Sequence, residues 1–561
     1  MKWQVAILAG MIVLGSMLAN AYAYNDLATD IDEIAVLFDY GNGRVQWVDL
    51  SITDDMSAFN ATVKAAETLG ISLDYIQSEY GIFILGINEI ENNWPFEYWH
   101  LWVWNSTCAN WQLSATGADA LRVDGLKAVA WSYVMDRMDW STTPPDATPD
   151  NRYPWTSFRH DLFNTGESQG IALLEAEKIW ELNLESGAID SSLIVSGNRI
   201  YVSTAGVYNW SEFEYDCLPQ VFCLNFSGDI LWRSELNASG YQISTPVVAG
   251  DMIVVASTDG QVYSFSKNDG SLMWKSNISY TYLGITSSPI FYRNQIILGG
   301  GDGTVYSFAE NGSLLWSTKI ASSIYFSSPA ARNGIIYIGS EDGKLHAIYA
   351  NGTGELWNAT IGGKVRSAPA LTDDMIIVTY AAYEGFVAVD GGVVALAYNG
   401  EELWRVDVNA TTASVALCNE GIVVTSSDGI SLISIDGALK WKKDLRALLK
   451  GSPSVAGNII YVTTYNESEI YALDLNGDVL WQIPLDPVDY SMCSPTITDT
   501  MVLVSSDNGY IYAFSTPSSP ENDGANGERS DLLLIVAAVV LAVIVVIGAV
   551  LFIRSRKKGK V

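Results

Sequence analysis

The 561-residue chain carries 31 Lys+Arg against 63 Asp+Glu, a formal net charge of −32. Such acidity repels phosphate backbones and excludes nucleic acid as a partner. Hydrophobic residues at 49% exclude wholesale disorder, and three histidines (His100, His160, His346) with five cysteines and no Cys-x-x-Cys pair give poor material for a zinc centre.

Residues 1–23 combine one Lys, an apolar stretch and Ala21-Tyr22-Ala23, a small-x-small cleavage pattern. They read as a secretory signal peptide. Residues 24–140 form a first, non-repeating domain. Two alternating runs, 33–40 and 44–52, flank Gly41-Asn42-Gly43 and predict a hairpin. A helix is expected over about 57–69, with Asp54 and Asp55 at its start, an apolar face of Phe59, Val63 and Ala66, and Gly70 as its stop. Strands are expected near 80–87, 97–104 and 127–134. One helix packed on a sheet is a β-grasp-like α+β arrangement. YGIFILGINEI (80–90), YWHLWVWN (98–105) and AVAWSYV (128–134) resemble the domain family related to the C-terminal domain of transcobalamin. That resemblance implies a small-ligand, cobalamin-like surface. The family's usual Asn-Gly after the aromatic strand is Asn105-Ser106 here. Tyr98, His100, Trp102 and Trp104 share one face by period two. They make either a platform for a sugar or planar ligand, or core packing.

After a linker and lead-in (141–177), residues 178–516 repeat. Trp180, Trp232, Trp274, Trp316, Trp357, Trp404, Trp441 and Trp481 recur every 37 to 52 residues, from Trp232 onward after a Gly-containing turn. Between them come a Ser/Thr/Ala-Pro step, a β-branched run, and hairpins marked by Asp-Gly or Asn-Gly. Four short strands per period of about 40 residues is the unit of a β-propeller. The last three-strand group has no Trp strand after it, and the Trp180 strand has no group before it. A ring of eight blades closed by 178–184 resolves both facts and removes two open edges. Longer periods place insertions near 205–221 and 380–392.

This pattern resembles the pyrroloquinoline-quinone repeat family, in which eight-bladed quinoprotein dehydrogenases and a non-enzymatic propeller lipoprotein of bacterial outer-membrane assembly both occur. WTSFRHDLFNTG (155–166) resembles the lead-in of the non-enzymatic members. His160-Asp161 there reads as a packed lead-in rather than a catalytic pair, since no nucleophile adjoins it. In the dehydrogenases the resemblance implies a quinone between a Trp and two adjacent Cys, with Ca²⁺ and an Asp beside it. This chain has no adjacent Cys pair. Cys217 and Cys223 read instead as a local disulfide. No cofactor is therefore expected and the chain reads as non-enzymatic, with quinone-dependent oxidation as the alternative.

A polar stalk (517–531) leads to 532–553, 22 residues without charge or Pro, long enough for a transmembrane helix. The tail 554–561 carries Arg554, Arg556, Lys557, Lys558 and Lys560 and is expected to be cytoplasmic, leaving the bulk of the chain outside as a single-pass type I cell-surface protein. Eleven N-glycosylation sequons lie on that side, at Asn60, Asn105, Asn209, Asn225, Asn237, Asn277, Asn311, Asn351, Asn358, Asn409 and Asn466. The expected architecture is mainly β, an eight-bladed propeller with an N-terminal α+β domain and one C-terminal helix. The expected role is binding or scaffolding of a protein, glycan or envelope partner.

Overall fold

The computed structural model describes residues 33–517 apart from 54, 79–80, 89, 93–96, 107, 136–141, 210, 239–242, 279–283 and 386. The leader, nearly all of the stalk, the 532–553 segment and the basic tail lie outside the described residues. Among the described residues no helix is long and apolar enough to cross a membrane.

The first part of the chain holds β1 (Glu33–Asp39), β2 (Val45–Ser51), α1 (Ala58–Leu69), β3 (Leu73–Ser78), β4 (Gly81–Ile87), β5 (Ile90–Glu91), β6 (Glu97–Asn105), β7 (Asn110–Leu113) and β8 (Ala128–Met135). Helix α1 begins where Ser57 and Asn60 form a capping box, and ends where Gly70 takes a left-handed φ of 68°. Five strands pair in the order β2-β1-β8-β6-β7, and β3-β4-β5 form a separate sheet. β1 and β8 are parallel, so the first and last strands lie side by side. Period-two alternation sends Trp99 and Leu101 towards α1, in a core with Ile34, Val36 and Trp131.

From residue 177 onward, the described residues form eight four-stranded antiparallel sheets and one separate two-stranded hairpin, and the preceding Glu167–Ser168 adds a short parallel fifth strand to one of the eight. Sheets 1 to 7 are sequential meanders over 194–235, 247–277, 290–319, 330–360, 370–407, 416–443 and 454–484. Sheet 4 is typical: Ala330–Arg332, Ile335–Gly339, Lys344–Tyr349 and Glu355–Thr360. Sheet 8 is composite. Thr496–Ile497, Val502–Ser505 and Tyr510–Ser515 are completed by Glu177–Asn183 from the start of the repeat region. The sequence-expected closing strand, 178–184, thus pairs where the repeat count requires. The two insertions also lie where expected. One is the hairpin Val207–Asn209/Glu214–Cys217, and the other extends sheet 5 through Met375–Glu384 and Val387–Ala397.

Each outermost strand carries one repeat Trp directly after a β-bulge, opposite a small residue in most sheets: Ser264 faces Trp274, Ser307 faces Trp316 and Ala347 faces Trp357. The indole reaches the next sheet. A Cβ on Gly312 would lie 2.5 Å from Trp274, and one on Gly352 2.4 Å from Trp316. Both glycines sit at φ near +80°, which also favours residues without a Cβ. Most indole N–H groups donate across the same gap: Trp180 to Phe226 O, Trp274 to Glu310 O, Trp357 to Tyr398 O and Trp441 to Leu475 O. Trp316 instead donates to Gln295 Oε1 in its own sheet. At the seam Trp481 donates to Leu173 O (2.7 Å), in the segment that enters the closing strand.

A second circuit of bonds runs nearer the axis. The N–H of Ser494 donates to Ser192 Oγ, Ser192 to Thr245 Oγ1, Thr245 to Ser288 Oγ and Ser288 to Ser328 Oγ, all within 2.9–3.1 Å. It resumes from Ala368 to Ser414 Oγ and from Ser414 to Ser452 Oγ. Ala368 has no hydroxyl and so accepts nothing from its neighbour. These are the residues preceding each Pro step, or their equivalents, and the step from Ser494 to Ser192 joins the last sheet to the first.

Removing one Trp should strip packing from two sheets at once. Trp316→Ala is expected to destabilise the chain by about 3 kcal/mol, the lower end for a large aromatic because this indole is half-buried. Thermal or urea unfolding of the variant reads this directly, and an unchanged midpoint would remove the indole from the list of structural contacts.

Candidate functional site

A meander places its turns at two ends. The turns between first and second strands and between third and fourth strands share one end. The turns between second and third strands and the sheet-to-sheet loops share the other. The two ends differ in what covers them.

At the first end, residues 155–171 wind round the axis. Trp155 pairs with Val195 of sheet 1, and Thr156 O accepts from Val248 of sheet 2. Leu162, Phe163, Thr165 and Gly166 carbonyls accept from Ala331, Leu371, Leu417 and Val455 of sheets 4 to 7, and Ile171 donates to Thr498 beside sheet 8. The N-terminal domain rests on this lead-in. Leu162 donates to Asn42 O in the β1–β2 turn, and a Cβ on Gly43 would meet Asp161 Cα at 2.9 Å. Arg152 clamps Asp49 through two bonds (2.8 and 2.7 Å) while its backbone N–H reaches Asp499. Arg293 pairs with Glu97 at 3.0 Å.

His160 belongs to this seal. Its ring meets Trp155 edge-on at 4.9 Å, and its Nδ1 lies 3.7 Å from Asp161 Oδ2. Asp161 accepts from Phe163 N, Thr165 N and Thr165 Oγ1, so it orders the loop. The aromatic strand is also spent on packing. Trp102 and Trp104 are 4% and 5% exposed in a cluster with Trp47, Trp111 and Ala147, on the sheet face opposite α1. Tyr98 and His100 remain half-exposed, so the four residues do not form one open platform.

The Cys217–Cys223 disulfide is corrected: both thiols are free. Cys223 is buried opposite Trp232, in the small-residue position of the repeat. Cys217 Sγ is held by Ser186 Oγ, Leu218 O and Gln220 Nε2. Burial raises the Cys223 thiol pKa to about 11, an unreactive state.

The quinone set implied by the dehydrogenase resemblance does not fit these residues. No two cysteines are adjacent, and the repeat Trp side chains lie on outermost strands. Near the axis stand small hydroxyls bonded to backbone, such as Thr379 to Ala413 O, Thr425 to Gly451 O and Ser505 to Ser191 O. Among the described residues no group of three His, Cys, Asp or Glu side chains is placed to hold a metal ion. Sequence reading missed a Ser340–His346–Glu355 relay, linked at 2.9 and 2.5 Å. Its connectivity is that of a hydrolase triad, but Ser340 is fully buried and also bonds Asp342 and Lys344 O, so it braces a turn.

The second end carries exposed chemistry. Both insertions rise here, with Phe213 76% and Val387 66% exposed, and Val207, Val389, Val488 and Tyr490 also exposed. Arg366 lies 4.9 Å from the ring centroids of both Tyr325 and Tyr383, and grips Glu341 with two bonds of 2.6 and 3.0 Å. Burial opposes ionisation of Glu341, but Arg366 and Lys364 outweigh it and hold its pKa below the ordinary range. Lys450 sits 3.6 Å above Tyr465, whose ring stacks on Tyr490 at 4.7 Å. Rigid tyrosines and arginines beside apolar tips are the residues from which interface hot spots are built.

This end also holds an acid pair across the seam, Asp190 before sheet 1 and Asp507 in sheet 8. Burial, and then the charge of Asp190, raise the Asp507 carboxyl to about pKa 8, and burial raises Asp190 as well. The two carboxyls therefore favour sharing a proton over ionising together.

A family model described as outer membrane protein assembly factor BamB matches residues 167–324, 301–392 and 389–516. The outer membrane protein assembly factor BamB of Yersinia pestis is 21% identical over 365 residues, 60% of this chain and 77% of that protein. The protein of the same name from Salmonella typhimurium is 29% identical over 284 residues, 48% of this chain and 70% of that protein. Among solved structures, BamB from Moraxella catarrhalis aligns at TM-score 0.50 and 13% identity, over 62% of this chain and all of that one. A europium-containing methanol dehydrogenase aligns at TM-score 0.53 and 12% identity, over 64% of this chain and 98% of that one. At these identities the structural likenesses establish the propeller-like fold alone.

The acid pair sets a pH dependence. A carboxyl raised above its unfolded value binds more protons in the native state, so its contribution is full below the unfolded pKa and is lost as pH rises through about 8. Wild-type melting temperature is expected to fall between about pH 5 and about pH 8 more steeply than that of Asp507→Asn. Parallel profiles for the two proteins would show that the seam carboxyls are not coupled.

Proposed function

The chain belongs to the repeat family of the outer membrane protein assembly factor BamB, and from that premise we propose that it is a non-enzymatic scaffold that presents one propeller face to a protein partner. One observation carries this reading: the asymmetry of the two ends. The first is sealed by the lead-in and the N-terminal domain. The second exposes both insertions, the Tyr325–Arg366–Tyr383 stack and the Lys450–Tyr465–Tyr490 stack. Loops on a rigid ring suit recognition, because the scaffold bears the folding cost and the loops are free to carry chemistry.

In this reading the ring has eight blades, and the exported chain is anchored by 532–553 with its basic tail inside, as a type I surface protein. The N-terminal domain is β-grasp-like; the parallel pairing of β1 with β8 around one packed helix supports that assignment. Glycan attachment is compatible with the fold, since all eleven sequon asparagines are exposed or half-exposed. Glycan or envelope ligands and a cobalamin-like ligand are secondary to the protein partner, because Trp102 and Trp104 are packed away.

Affinity capture from the native membrane with full-length protein tests the proposal. The set Phe213→Ser, Val387→Ser and Tyr490→Ser should cut recovery of the wild-type partner at least about tenfold, as for loss of interface anchors. The perimeter pair Leu272→Ser and Leu315→Ser should leave recovery unchanged. The opposite ranking would move the binding surface to the outer strands.

A further inference from the structure

Arg159 is the one large cation of the lead-in that the seal does not explain. It is 0% exposed, among the largest fully buried side chains of the molecule. Its Nη2 donates to Val415 O at 2.8 Å, but Nε and Nη1 meet no partner. A buried guanidinium with unmade bonds is costly, because charge and hydrogen-bonding capacity are both removed from water. The backbone adds strain, since Arg159 and His160 both hold left-handed φ values, 59° and 82°.

The position of the guanidinium follows from its neighbours. A Cβ on Gly166 would fall 1.8 Å from Arg159 Nη2, so the group packs directly beneath the lead-in. Val415 follows Ser414, a member of the hydroxyl circuit. Arg159 therefore lies between the lead-in and that circuit, at the axis. Asn164, also fully buried, is fixed by Nδ2 bonds to Pro329 O and Pro369 O, the carbonyls equivalent to that of Val415.

The surroundings are rich in donors. Ser192, Thr245, Ser288, Ser414 and Ser452 each accept a neighbour's N–H, and each hydroxyl keeps its own proton to donate. Asn164 Oδ1 is the unpartnered acceptor of this layer. The nearest opposing carboxylate, Asp161, is occupied by Phe163 and Thr165. Burial lowers the Arg159 pKa to about 9 against the opposing pull of Asp161, the mark of a charge short of compensation. A water molecule would donate to Asn164 Oδ1 but would return no charge to the buried guanidinium. An anion accepts from every side and returns the missing charge.

We propose that Arg159, at the axis between the lead-in and the serine–threonine circuit, holds a small inorganic anion of the chloride class. The anion would fasten the lead-in to the ring and thereby couple the N-terminal domain to the propeller.

Full-length protein melted at fixed ionic strength, with chloride replaced stepwise by gluconate, gives the test. Each tenfold rise in chloride above its dissociation constant should raise the melting temperature by about 2 °C, and Arg159→Met should abolish that dependence. Crystals of the wild-type protein soaked in bromide supply a second reading that does not depend on the variant's folding: an anomalous peak against the Arg159 guanidinium. Melting that follows ionic strength alone, or water density with no bromide at Arg159, overturns the proposal.

Discussion

An indole resting on a glycine of the next sheet is the contact on which the rest of this molecule depends. The bulge before each repeat Trp turns the side chain out of its own sheet, the small residue opposite makes room, and the glycine lets the ring approach backbone. No sheet can satisfy this contact alone. Each of the first seven supplies a Trp to one neighbour and a glycine turn to the other, so the sheets are stable as a series. Where the series must close, the third and fourth strands of sheet 8 come from opposite ends of the repeat region and no turn joins them. Leu173 O takes the place of the missing turn as acceptor for Trp481. The apolar core runs unbroken through the same seam, with Tyr461, Val502 and Ile200 in one cluster.

Closure also explains the lead-in. Residues 155–171 must travel from the N-terminal domain to the start of the closing strand, and they do so by circling the axis. Each short innermost strand has an edge of backbone groups, and burying those unpaired would be expensive. The lead-in pairs with them on seven of the eight sheets. One end of the ring is thereby sealed, while the loops of the other stay exposed.

Much of this was legible beforehand. The Trp spacing, the Asp-Gly and Asn-Gly turns, the unmatched first strand and the two long periods are local patterns, and each corresponds to a feature of the fold. The end of helix α1 was legible from Gly70, but its buried face is Ala58, Ala61, Thr62, Ala65 and Ala66 rather than the expected Phe59, Val63 and Ala66, and Ser57 with Asn60, not Asp54 and Asp55, caps its start. What could not be read depends on residues far apart in sequence. Ser494 and Ser192 join the circuit across the seam, and Asn164 bonds two carbonyls from different sheets. The Ser/Thr/Ala-Pro step was visible as a repeat, yet its inter-sheet bond was not. Close sequence spacing made Cys217 and Cys223 look paired, but one belongs to the insertion and the other to the repeat core. The alternation in β6 was right, while the cover over Trp102 and Trp104 comes from the linker, which no local pattern announces.

Hydrogen exchange across the seam tests the central claim, that the ring is closed by a strand from its own beginning and is as firm there as elsewhere. In full-length protein the amides of Glu177–Asn183 and Tyr510–Ser515 are compared with those of the equivalent strands Leu314–Lys319 and Thr304–Ala309. The closed ring predicts equal protection in both pairs, because opening either requires breaking the same indole contacts. Exchange of 177–183 faster than 314–319 by about a hundredfold or more, corresponding to local opening of the seam alone, would contradict it.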